Sequence, residues 1–140
     1  YQFDAFFSYG GIKMKLYTFT NMYMSDIQKG IQTQHACANL FVKYQRESKC
    51  KTVLYDWATN HKTTIVLNGG NAQSLHNLYD RLLPLCDCLN YPISVFYEDQ
   101  QSLNGCITCV AIVVPESVYD AEIDIDNAVV FDIISQYRLA

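Results

Sequence analysis

Apolar positions recur along the chain in two rhythms, and the switches between them mark the elements. Lys15–Asn21 (KLYTFTN) is short, aromatic and β-branched, and predicts a first strand. Ser25 and Asp26 then offer an N-cap and a first-turn acid. From there Ile27, Ile31, Ala38, Phe41 and Val42, widened by Leu40 and Tyr44, recur at near-helical spacing. The pattern predicts a helix to about Arg46 with those residues against the core. Thr52–Thr59, which contains Trp57, predicts a shorter helix, and Lys62–Asn68 (KTTIVLN) a second strand closed by a Gly69–Gly70–Asn71 turn. Ala72–Leu83 predicts a helix that buries Leu75, Leu78, Tyr79, Leu82 and Leu83, with Pro84 expected to kink or end it. Tyr91–Glu98 and Cys106–Val114 predict the third and fourth strands. Val118–Ile123 reads as a turn of helix, and Ala128–Tyr137 fits strand and helix equally.

Strand, helix, strand, helix, strand, strand is the order of an α/β single domain: a small four-stranded mixed sheet flanked by helices. The strands are nearly apolar throughout, as expected where both faces are covered. Met14-Lys-Leu-Tyr looks like a natural start, so residues 1–13 read as an extension or an expression remnant. Residues 14–115 then form the core, and residues 116–140 an acidic segment packing on it. No apolar run reaches the roughly 18 residues needed to span a bilayer, and no leader pattern is seen. A cytoplasmic protein with no membrane contact is the expectation.

Charge narrows the partners. Residues 1–115 carry nine Lys/Arg against eight Asp/Glu, and residues 116–140 carry six acids against Arg138 alone. A dedicated nucleic-acid binder usually shows a basic surplus. RNA contact would have to use a local patch, for which Lys43, Arg46, Lys49 and Lys51 are the candidates. The same residues also read as a solvated helix end, where cations favour the dipole. Six cysteines raise the question of metal or redox chemistry. Cys106 and Cys109 form C-x-x-C inside a predicted strand, where positions three apart face opposite sides. Cys86 and Cys88 are about 200° apart on a helix. Both spacings predict buried or inert reduced thiols, with no metal and no cofactor.

Several stretches together resemble the type 2 peptidyl-tRNA hydrolases of archaea and eukaryotes, over about residues 14–115. In that family strand one leads into a helix opening Gly-Lys-Ile-Ala-Ala-Gln-Cys-Ser-His-Ala. Here the stretch is Lys29-Gly30-Ile31-Gln32-Thr33-Gln34-His35-Ala36-Cys37-Ala38, in which Ile31, Gln34 and Ala38 coincide with the pattern. The family's Trp before its second strand is matched by Trp57. Its third strand ends in Asp-Ala-Gly-x-Thr, at the place of Tyr97-Glu98-Asp99-Gln100-Gln101. Its apolar fourth strand is echoed by Val110–Pro115. The family's helix-start Lys falls on Gly30, its His on Cys37, and the Thr four residues after Asp99 is Leu103.

The resemblance implies hydrolysis of the ester joining a peptide to the terminal ribose of tRNA, with tRNA or peptidyl-tRNA as partner. That reaction needs an activated water, a donor for the developing oxyanion and cations for the RNA backbone. Asp99, at a strand's C-terminal end, is the candidate for orienting water, or else a loop carboxylate capping a turn. Lys29 and the first helical amides offer a phosphate site, or Lys29 is simply an exposed lysine. Gln34 offers a donor, and His35 an acid or base, since histidine changes charge near neutral pH; packed or solvated side chains are the alternatives. The other functional reading is a catalytically inactive module on the same fold, binding a protein or nucleotide. Gly30, Cys37 and Leu103 favour it, and a homodimer is a further open arrangement.

Overall fold

The structure, a computed structural model, describes residues 13–98, 106–116 and 125–140. Its strands are β1 (Met14–Asn21), β2 (Thr64–Gly70), β3 (Ile93–Tyr97) and β4 (Ile107–Pro115). They join in one mixed sheet in the order β2-β1-β4-β3. β1 and β2 are parallel, and β4 runs antiparallel to both of its neighbours. Four α-helices are described: α1 (Asp26–Lys43), α2 (Lys49–Asp56), α3 (Ala72–Leu89) and α4 (Ile125–Ser135). A π-helical turn, Trp57–His61, follows α2. The predicted α/β class and the mixed four-stranded sheet are both present. No helix among the described residues is long and apolar enough to cross a membrane.

The sheet separates two apolar layers. On one face Phe19, Leu67, Val110 and Ile112 pack with Leu75, Leu78 and Leu82 of α3 and Val130 and Ile133 of α4. On the other, Met14, Leu16, Ala111 and Val113 pack with Ala36 and Leu40 of α1, Val53 and Leu54 of α2, and Trp57. β4, between β1 and β3, is buried from Ile107 to Val114, which is why its sequence is almost continuously apolar.

Both sheet edges are covered locally. On β3 the Ile93 carbonyl accepts from Lys43 Nζ at 2.9 Å and Tyr44 Oη at 3.3 Å, and Val95 O accepts from Asn39 Nδ2 at 3.1 Å. On β2, Asn68 N–H donates to Arg138 O at 2.8 Å and Ala140 N–H to Val66 O at 3.0 Å. An uncovered edge would present a template for another strand.

Three expectations are corrected. α3 continues through Pro84 to Leu89, closed by Asn90 in the left-handed region at φ 60°. Pro84 and Asp80, whose carbonyl loses its helical donor, are both exposed, where a missing backbone bond costs less than it would in the core. Gly69 and Gly70 end β2 rather than forming a turn beyond it. The third correction is the buried face of α1, which holds Gln32, Ala36 and Leu40. Ile27, Ile31, Ala38 and Val42 are exposed instead. The inward polar groups find partners: Thr33 Oγ1 lies 2.9 Å from Thr18 Oγ1, and small Ala36 lets Ser94 Oγ donate to its carbonyl at 2.7 Å. A buried polar group that is hydrogen-bonded costs little, so the apolar period did not have to point inward. The ambiguous stretch 128–137 is mostly helix, and residues 118–123 lie outside the described residues.

Candidate functional site

Polar side chains converge where β1 and β3 end, beside the first half of α1. A bulge makes this possible. Phe96 pairs with Cys109 and Tyr97 with Ile107, so Thr108 is an extra residue in β4. A bulge re-aims a side chain that strict alternation would send to the other face. Fully buried Thr108 therefore reaches α1, and its hydroxyl lies 3.0 Å from Gln32 Oε1 and 3.4 Å from Phe96 O. The other end of the Gln32 amide, Nε2, donates to Glu98 Oε2 at 2.7 Å. A carboxylate only accepts, so the amide's orientation follows from Glu98. Nearby, Asn21 Nδ2 donates to Ile107 O at 3.3 Å.

His35 closes the cluster on the α1 side. Its Nδ1 is 3.4 Å from Gln32 Oε1, and its ring tilts over Phe96 with centroids 4.6 Å apart. An oxygen acceptor at Nδ1 favours a proton there, which leaves Nε2 as the basic nitrogen of the neutral ring. Lys29 lies three residues before Gln32, hence on the same inward face of α1. Gly30, where the family's lysine would fall, looks outward, and a Cβ placed on it would meet nothing within 4 Å among the described residues outside its own helix.

The candidate residues thus divide. Lys29 and His35 share one side of α1 with Gln32. Gln34 does not, being turned by about 160° from Gln32. It lines a separate groove of about 400 Å³ with Cys37, Ala38, Phe41 and Trp57. Asp99 lies outside the described residues, as does Leu103; the preceding residue, Glu98, is the one on Gln32. Lys43, Arg46 and Lys49 sit at the far end of α1 and the start of α2. Lys43 Nζ is held by the Ile93 carbonyl, Arg46 is exposed beside a depression of about 320 Å³, and Lys49 is exposed. Lys51 is paired with Glu47 at 2.8 Å.

Gln32, Glu98 and Thr108 were not singled out from the sequence. Gln32 sits in a helical row of polar residues and looks solvated. Thr108 faces α1 only because of the bulge, which alternation cannot reveal. Cys37, Cys50, Cys86, Cys106 and Cys109 are free thiols, and Cys88 donates to Asp126 Oδ2 at 3.6 Å. Burial pushes Cys86 up to about 12, and Cys109 likewise to about 12, so both remain protonated. Among the described residues no three His, Cys, Asp or Glu side chains could hold a metal ion.

The arrangement offers a carboxylate and an imidazole held on one buried amide, with a lysine one turn away. It has the parts for general acid–base chemistry beside a cation. Comparison with known protein families and with characterised proteins finds no match to the chain.

Proposed function

We propose that the chain is a peptidyl-tRNA hydrolase of the type 2 kind, on a fold of that family, cleaving the ester between a peptide and the terminal ribose of tRNA. The observation that carries this reading is the 2.7 Å hydrogen bond from Gln32 to Glu98, which ties the third strand's C-terminal end to α1. The order of helix after β1, Trp57 before β2 and an apolar β4 agrees with the resemblance. Asp99, next to Glu98, orients the attacking water, and His35 Nε2 moves its proton. Lys29 faces the negative charge of substrate, and Gln32 keeps Glu98 and His35 in register. The amide serving the cluster is Gln32 and not Gln34. Lys43, Arg46 and Lys49 lie at the far end of α1 and the start of α2, where an extended RNA substrate would pass.

The test is deacylation of N-acetylaminoacyl-tRNA by the purified chain. Turnover is expected, and Asp99→Ala is expected to abolish it. Turnover indistinguishable from buffer would transfer the fold to the second reading, a module that binds without catalysis. That reading has its own support in the apolar row that α1 leaves exposed.

A further inference from the structure

α1 is apolar on two opposite sides, and its own sheet uses only one. Gln32, Ala36 and Leu40 face the sheet. Offsets of 4, 11 and 15 residues put Ile31, Ala38 and Val42 within roughly 60° of Ile27 around the helix, on the opposite side. Ile27 is 77% exposed and Val42 65%. Isolated exposed apolar residues are ordinary, whereas a contiguous row marks an interaction surface.

We propose that this row packs against the same row of a second copy of the chain, with the two α1 helices antiparallel about a two-fold axis. The row reads alike from both ends. Reversal about its midpoint sets Ile27 against Val42 of the partner and Ile31 against Ala38 of the partner, with the two Gln34 amides meeting at the axis. A two-fold interface needs such self-complementarity. Charge points the same way. The row itself is uncharged from Ile27 to Val42, with Asp26 before it and exposed Arg46 beyond its other end, while Lys43 is turned away to the Ile93 carbonyl. Antiparallel pairing sets the acidic end of each helix beside the basic end of its partner, with opposed dipoles adjacent. Parallel pairing would set like ends together. A membrane surface would call for cations along the polar flanks, and an acid stands at one end of this row.

Small residues permit close approach. Gly30 borders the row, at a helical position where glycine is less favourable than alanine. Among the described residues outside its own helix, nothing lies within 4 Å of where its Cβ would be. α1 has 18 residues, a face about 27 Å long by helix geometry. One helix face lies at the low end of specific interfaces. The dimer is therefore weak and concentration-dependent.

Sedimentation velocity over a micromolar concentration series tests this. The mass is expected to rise from 16.0 kDa towards twice that value. Ala38→Glu and Ile31→Lys, each at an exposed position, are expected to stay monomeric with an unchanged circular dichroism spectrum. Their equimolar mixture is expected to dimerise again, because one Ile31–Ala38 contact becomes Lys–Glu and the other is untouched. A mass fixed at 16.0 kDa throughout would overturn the proposal and leave the row to a different partner. Dimers that survive Ala38→Glu would place the interface elsewhere, and failure of the mixture to associate would refute the antiparallel register.

Discussion

Gln32 and Glu98, separated by 66 residues in sequence, are joined by a hydrogen bond of 2.7 Å from amide to carboxylate. Gln32 is almost wholly buried and also accepts from Thr108, so one side chain couples α1, the end of β3 and the bulge of β4. Removing the amide while keeping its bulk isolates that coupling. Gln32→Leu takes one acceptor from the buried Thr108 hydroxyl, which keeps only its longer contact to the Phe96 carbonyl, and one donor from the Glu98 carboxylate. An unsatisfied buried group costs about 1–3 kcal/mol. Urea unfolding is expected to show a loss in that range. Deacylation, if present in the parent chain, is expected to fall at least tenfold in kcat with little change in KM. An unchanged kcat would remove Gln32 from the site.

Tyr44 holds both backbone groups of Ile93. Its hydroxyl accepts from the Ile93 amide at 3.0 Å and donates to the Ile93 carbonyl at 3.3 Å. Tyr44→Phe keeps the packing and removes both bonds. The expected cost is about 1–2 kcal/mol, together with faster amide exchange at Ile93 and a greater tendency to associate through β3. Exchange at Ile93 matching the parent would show that the edge is protected by something else.

Gly69 sits under the start of α3. A Cβ there would collide with Leu75 Cδ2 and come within 3.2 Å of the Phe19 backbone carbon. Both neighbours are fully buried, so neither can give way freely. Gly69→Ala is expected to cost about 1–3 kcal/mol, as overpacking does, read as a lower midpoint in thermal or urea unfolding. Gly30→Ala, in open space, is expected to leave the monomer's midpoint unchanged or raise it.

Alkaline pH is expected to destabilise the fold. Burial raises Cys86 and Cys109 from 9.0 to about 12. Between those values the unfolded chain releases thiol protons that the folded chain keeps, so stability falls as pH rises through that window and is unaffected below it. A tenfold difference in proton affinity corresponds to about 1.4 kcal/mol, so the combined loss amounts to several kcal/mol. Urea midpoints measured upward from neutral pH should decline above 9.0, the ordinary thiol value. Cys86→Ala should lie lower at neutral pH, because of the cavity, yet decline less steeply. A flat profile would show that the two thiols ionise freely when folded.

Some of this was legible in the residues alone. Composition and local pattern determined the α/β class and the four strands. They also determined Ser25 as the N-cap of α1, whose hydroxyl accepts from Gln28 N–H at 3.2 Å. These features depend on neighbours within a few positions, where propensity and periodicity act directly. The inward face of α1 was different, because two apolar rows competed and hydrogen bonds to Thr18, Ser94, Thr108 and Glu98 decided between them. Those partners are distant in sequence. Pro84 was likewise decided by context, standing on an exposed side of the helix where a missing bond costs less than in the core. Thr108 joined the site only because one extra residue in β4 broke the alternation on which any reading of a strand depends. Periodicity assigns a side to each residue, but only the assembled sheet determines which side is inside.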